Sequence, residues 1–265
     1  MYVWLLPLFG FLIGIAAALS GIGGGIFIVP LLNLIYGFVI TSATGTSLAT
    51  IILISLASTV NYVKQHRVYF KIGLVLALTT APGAYFGAEL TTIPLIKAWL
   101  GTIFGIFLII IAAQLILRAW TTKSGERCGL KDDVFENTLL RNWRKILVAL
   151  ALSFFGGVAA GLLGIGGGAI LVPIMCYALD FPIHFSIPTS MFIMIFTSVS
   201  GVTSYVQAGS VDPLFAAYLG IGAIFGAQVG AYATKKLSGR NLLLVFAAML
   251  IIASANMILK SLKII

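Results

Sequence analysis

GIGGGIFIVP, Gly21 to Pro30, puts four glycines and a proline inside a strongly apolar segment. Nearly the same phrase returns as GIGGGAILVP, Gly164 to Pro173. Glycine inside a helix costs roughly 1 kcal/mol relative to alanine. Three consecutive glycines, with a fourth two residues before them, therefore predict a break in each apolar segment. Pro30 either kinks the helix that follows or stands near its wall.

The chain around the two phrases has 265 residues, of which 60% are hydrophobic and 9% charged. Its mean hydropathy is +1.13. A soluble domain carries about 25% charged residues. So few charges do not cover a water-facing surface, which leaves an integral membrane protein in contact with the lipid bilayer. The apolar stretches are long, unlike the ~10-residue alternating segments of an outer-membrane barrel. The spans are therefore helical, because a helix satisfies its own backbone in lipid. The net charge of +9 points to no nucleic acid, since the basic residues sit between apolar runs, where the positive-inside rule puts them. Cys128 and Cys176 form no CxxC, zinc spacing or disulfide framework. The N-terminal stretch from Met1 lacks a basic leader region and reads as a first helix.

Hydrophobic segments fall at about 3–19, 24–38, 43–63, 70–89 and 97–118, then 145–162, 167–180, 186–207, 213–233 and 240–260. A polar loop, 119–144, divides these ten segments into two fives. The fold class is an all-α polytopic membrane protein. The expected domains are a first repeat, 1–118, a cytoplasmic connector, 119–144, and a second, inverted repeat, 145–265. The pairs flanking the glycine phrases are the shortest. They fit either short spans or re-entrant hairpins meeting near mid-membrane, which gives 8–10 segments in all.

A shift of 143 residues aligns the halves without a gap. Gly14 meets Gly157, Thr46-Ser47 meets Thr189-Ser190, and Tyr62 meets Tyr205. Gly83-Ala84 and Gly87 meet Gly226-Ala227 and Gly230. Five segments per repeat is odd, so the second repeat enters the membrane upside down. The charges agree independently. Loop 64–71 holds Lys64, Arg67 and Lys71, and its partner near 207–214 holds no Lys or Arg. Loop 89–97 holds only Lys97, and its partner 233–240 holds Lys235, Lys236 and Arg240. With loop 64–71 cytoplasmic, that side collects 13 of the 16 Lys and Arg, all but Lys97, Lys260 and Lys263. Both termini then lie outside. Inverted repeats mark secondary transporters, with the substrate site at the repeat interface.

A broken helix frees N–H groups at the start of the next half-helix, where its dipole is positive. Such ends bind anions without a cationic side chain. The plainer alternative is that the glycines permit close helix packing. Thr46, Ser47, Thr189 and Ser190 stand at the expected starts of segments three and eight. Their hydroxyls suit either an N-cap or donation to an oxyanion. Ser20 flanks the first phrase, and its counterpart is Leu163, so a site using Ser20 is asymmetric. Charged residues inside the spans are almost absent. Glu89 and Asp180 fall at segment ends, which argues against a buried carboxylate cluster for a coupling ion. His66 and His184 read as interfacial, not as metal ligands. Enzyme motifs fail: there is no βαβ unit around the glycines, no Walker lysine, no GxSxG and no HExxH. No cofactor is implied.

The duplicated GIGGGxxxVP phrase followed by TS resembles the TauE/SafE family, also called the sulfite exporter or toluene sulfonate uptake permease family. The resemblance covers nearly all of the chain outside 119–144. It implies a multi-pass transporter of the bacterial or archaeal cytoplasmic (inner) membrane, moving small sulfur-containing anions such as sulfite, sulfoacetate or sulfonates. By position it carries over to Gly21–Pro30, Thr46-Ser47, Gly164–Pro173 and Thr189-Ser190. The expected substrate-binding residues are Ser20, Gly21, Gly23, Gly24, Gly25, Thr46, Ser47, Gly164, Gly166, Gly167, Gly168, Thr189 and Ser190. The expected partner is a small anionic substrate, and a homo-oligomer is compatible with the sequence. A passive anion channel and a non-transporting membrane scaffold subunit stand as alternatives.

Overall fold

A computed structural model describes residues 3–121, 143–179 and 181–233, with a few positions beyond. Residues 122–142 of the expected connector, Asp180, residues 234–240 and nearly all of the expected tenth segment lie outside the described residues. After a short 3-10 turn the elements are α1 (Leu6–Ser20), α2 (Gly25–Pro30), α3 (Ile40–Lys64), α4 (Phe70–Leu90) and α5 (Pro94–Thr121). There follow α6 (Trp143–Leu163), α7 (Gly168–Ala178), α8 (Ile183–Gln207) and α9 (Pro213–Ala233). No strand occurs among the described residues. Five of these helices, α3, α4, α6, α8 and α9, are long and apolar enough to cross a membrane.

Two segments depart from their expected form. The run 24–38 is an α-helix only as far as Pro30, and Leu31–Ile35 continue it as a π-helix. Proline has no N–H and crowds the preceding turn, so the ladder shifts register there. Phe38 N–H then closes on the Leu32 carbonyl at 3.0 Å, and Asn33 Nδ2 donates to the Phe38 carbonyl at 2.7 Å. The second departure is at the starts of α3 and α8. They begin at Ile40 and Ile183, three residues before the expected 43 and 186, with no side-chain cap. Extended residues, Val39 and Pro182, precede each start, so backbone geometry and not a capping hydroxyl sets it.

The long helices pack across the sequence midpoint. α1 lies along α9, α4 lies against α6 and α8, and α3 lies against α8 and α9. Glycines make these contacts close. A Cβ on Gly222, Gly226 or Gly230 of α9 would fall on the carbonyl groups of Pro7, Phe11 or Ile15 of α1. On α4, Gly83 and Gly87 meet Phe154 and Val158 of α6 in the same way. Small residues at four-residue spacing let two backbones approach until dispersion and Cα–H···O contacts join them, which is how helices associate where lipid removes the hydrophobic drive.

Candidate functional site

Each glycine phrase is a tight turn between a long helix and a short one. Gly21 ends α1 with its N–H on the Ala17 carbonyl at 2.9 Å, and Gly164 ends α6 on the Ala160 carbonyl at 2.9 Å. Gly24 and Gly167 then start the short helices at φ +83° and +93°. A side chain in that left-handed region costs about 1–2 kcal/mol. The expected helix break is therefore present in both phrases. The ladder of α2 begins with Phe27 and Ile28 N–H on the Gly24 carbonyl, at 2.9 and 3.0 Å. That of α7 begins with Ile170 and Leu171 on Gly167, at 3.0 and 2.8 Å. The N–H groups of Gly25, Ile26, Gly168 and Ala169 thus have no partner within their helices.

The two turns touch. A Cβ on Gly25 would fall on the Gly164 carbonyl oxygen and 2.6 Å from Ile165 Cα. A Cβ on Gly168 would fall on the Gly21 carbonyl oxygen. Only glycine admits this approach of backbone to backbone. Gly21 to Gly25 and Gly164 to Gly168 are all buried.

Serine and threonine hydroxyls tie the turns across the molecule. Ser47 Oγ donates to the Gly164 carbonyl at 2.8 Å. Ser190 Oγ lies 3.1 Å from the Gly21 carbonyl and 2.8 Å from that of Ile187 in its own helix. The Asp212 N–H donates to Thr46 Oγ1 at 3.0 Å, and the Tyr69 N–H to Thr189 Oγ1 at 3.2 Å. All four side chains are fully buried. They stand in the second turns of α3 and α8, so the N-cap alternative for them is corrected. Ser20 turns back on its own helix, donating to Ala16 at 2.8 Å and accepting from Ile22 N–H at 3.4 Å.

Sequence reasoning passed over two groups here. Tyr62 and Tyr205 are buried and donate to the Ala18 and Gly161 carbonyls, at 2.7 and 3.0 Å. These carbonyls belong to the last turns of α1 and α6, which a helix cannot satisfy itself. The signal was the pairing of the two tyrosines under the 143-residue shift. Ile51 and Met194 are the second group, and they fill the space against the turns. Nothing in an apolar run marks them. Tyrosines and Cys176 apart, the buried polar side chains among the described residues are Ser, Thr or Asn, and no three His, Cys, Asp or Glu gather there as metal ligands.

The hydrogen bonds that reach across the molecule from Thr46, Ser47, Thr189 and Ser190, and those of the two tyrosines, pair under the same shift. Ser47 with Gly164 answers Ser190 with Gly21 (190 − 47 = 164 − 21 = 143). Thr46 with Asp212 answers Thr189 with Tyr69, and Tyr62 with Ala18 answers Tyr205 with Gly161.

A family model described as Sulfite exporter TauE/SafE matches residues 6–257. The chain is 32% identical over 271 residues to "Probable membrane transporter protein YunE" of Bacillus subtilis (strain 168), covering 96% of each chain. It is 31% identical to "Probable membrane transporter protein YdhB" of the same organism, over 85% of this chain and 87% of that one. "Probable membrane transporter protein MJ0441" of Methanocaldococcus jannaschii is 27% identical, over 97% of both chains. No solved structure matches the chain. Family and relatives alike are named as transporters and not as enzymes. A multi-helix protein with this match is a membrane transporter of the TauE/SafE family.

Proposed function

We propose that the chain is a secondary transporter of the cytoplasmic membrane that moves a small sulfur-containing anion by alternating access. In this reading two inverted repeats, 1–118 and 145–265, enclose one anion at the paired glycine turns. Sulfite, sulfoacetate and related sulfonates are the substrate class, by membership of a family described as a sulfite exporter. The observation that carries the reading is the abutment of the two turns, each opening a short helix whose first N–H groups have no partner in that helix. A helix start of this kind favours negative charge. The exchange of hydrogen bonds between positions 143 apart supports the two-fold relation.

The hydroxyls divide the work. Ser47 and Ser190 spend their single hydrogens on carbonyls and so hold the turns together. Thr46 and Thr189 accept a backbone N–H each, which leaves a hydroxyl hydrogen on each for an oxyanion. With Ser20 and the glycines of both turns they form the proposed substrate-binding set. A site built from N–H and O–H dipoles holds an anion moderately, and moderate binding suits release.

Counterflow of radiolabelled sulfite, sulfoacetate and taurine in proteoliposomes tests the reading. Accelerated exchange of at least one sulfur anion is expected. Ohmic single-channel current without counterflow would establish the channel alternative. Robust cation transport with no movement of any sulfur anion would overturn the substrate class.

A further inference from the structure

Two side chains, Met194 and Ile51, touch both glycine turns. The Met194 methyl lies where a Cβ on Gly23 would stand, and 2.8 Å from where one on Gly166 would stand. Its Sδ lies 2.7 Å from the same point on Gly168. Ile51 holds the corresponding place in the other half (194 − 51 = 143) and lies 2.9 Å from the Cβ points of Gly25 and Gly166. Both side chains have no exposed surface.

The two residues differ in chemistry. Isoleucine is β-branched and held to one χ1 rotamer in a helix. Methionine is unbranched, turns about three bonds and carries a polarisable thioether. One position beside the turns is stiff, and the other can be vacated. Ser198 stands one turn further along the face of α8 that carries Met194. Its Oγ is fully buried and has no hydrogen-bond partner among the described residues. Buried hydroxyls without partners are rare and need an explanation. Its counterpart Ser55, by contrast, donates to the Ile52 carbonyl at 3.0 Å.

We infer that the Met194–Ser198 face of α8 lines the substrate position: Met194 is the movable wall whose size selects the anion, and the Ser198 hydroxyl is a donor reserved for it. The inference rests on the reading of the turns as an anion site. A tetrahedral or pyramidal oxyanion between the turns must take the space that the Met194 thioether fills. The swing of that one side chain empties it without disturbing the backbone clamp.

The purified protein in proteoliposomes provides the test. The ratio of sulfoacetate to sulfite counterflow is measured for the natural protein, Met194→Ala, Met194→Leu and Met194→Ile. A change of a few methylenes in a pocket is worth about tenfold in selectivity, so Met194→Ala raises the ratio by about that factor. Met194→Ile lowers it, and Met194→Leu changes it least. In parallel, Met194→Cys is placed in a Cys128→Ala, Cys176→Ala background and treated with the anionic reagent 2-sulfonatoethyl methanethiosulfonate. Labelling of this buried position, slowed by saturating sulfite, supports the inference. No labelling, where a Lys64→Cys control reacts fully, overturns it, as does an unchanged ratio in all three variants. If the natural protein moves no sulfur anion, the labelling decides alone. A reactive position then keeps Met194 on a solute path while the sulfur-anion reading falls, and an inert one overturns the inference itself.

Discussion

The two glycine turns share a backbone but not a setting. Around the first, Gly24 faces Ile13, Ala17 and Ile54, and the hydroxyl beside it is Ser20, before the turn. Around the second, Gly167 faces Ala160, Leu171 and Thr197. The hydroxyl there comes after the turn, and Thr197 Oγ1 meets Thr80 Oγ1 at 3.3 Å. The positions that answer Thr197 and Thr80 are Ile54 and Ala223, with no hydroxyl at all. Met194 likewise answers Ile51. The shared elements are those that shape the backbone: glycines, clamping serines and tyrosines. The divergent elements are side chains that line the space beside it. In the proposed alternating-access reading, matched turns with unequal linings let the two faces of the site differ in affinity while the same turn geometry serves both.

The sharpest way to break the comparison is to add one methyl at its centre. Gly25→Ala and Gly168→Ala each drive a Cβ into a carbonyl oxygen of the opposite turn. Backbone cannot give as a side-chain end can, so each variant loses about 3 kcal/mol or more. Both are expected to show no counterflow above empty liposomes while still inserting in the membrane. Gly24→Leu and Gly167→Leu are expected to do the same through their left-handed φ. Full activity in all four would reduce the glycines to packing residues.

Next in size are the clamps. Ser47→Ala leaves the buried Gly164 carbonyl without its donor, and Ser190→Ala does so for Gly21. An orphaned buried acceptor costs about 1–3 kcal/mol. The Ser47 bond is the shorter, and Ser190 divides itself between two carbonyls. Ser47→Ala is therefore expected to lower the melting temperature in detergent more than Ser190→Ala. Tyr62→Phe and Tyr205→Phe follow the same logic at about 1 kcal/mol each. Tyr62, at 2.7 Å from the Ala18 carbonyl against 3.0 Å for Tyr205 and Gly161, shows the larger loss. Equal losses within each pair would mean that the two turns are energetically equivalent despite their settings.

Much of this arrangement is legible in the residues. Both ends of α4 and the start of α9 fall within one residue of the apolar runs, because charged or polar loops bound them. The breaks at Gly21–Gly25 and Gly164–Gly168 follow from glycine chemistry alone. The shift of 143 residues predicts which contacts pair. What is not legible is where Ser47 and Ser190 reach. A bond between residues 117 or 169 apart leaves no local periodicity to read. The serines look like caps until the helix starts are seen to lie a turn or more earlier. Met194 is equally mute, since one methionine in an apolar run looks like any other core residue.

The smallest effect probes the difference itself. Thr80 and Thr197 join α4 to α8 beside the second turn, a link that the first turn lacks. Thr80 donates to the Leu76 carbonyl of its own helix at 2.9 Å, and Thr197 shares its one hydrogen between Thr80 Oγ1 and the Ile193 carbonyl at 3.1 Å. The cross-link is thus secondary to those bonds, and interhelical hydrogen bonds in membranes average about 0.6 kcal/mol. A cycle of Thr80→Val, Thr197→Val and the double variant isolates it. The expected coupling is about 0.5 kcal/mol in the melting free energy. Because the link stands at only one turn, its loss should also bring the transport rates in the two directions closer together. Coupling near zero with unchanged directional rates would leave the Ile51–Met194 pair as the main source of asymmetry at the site.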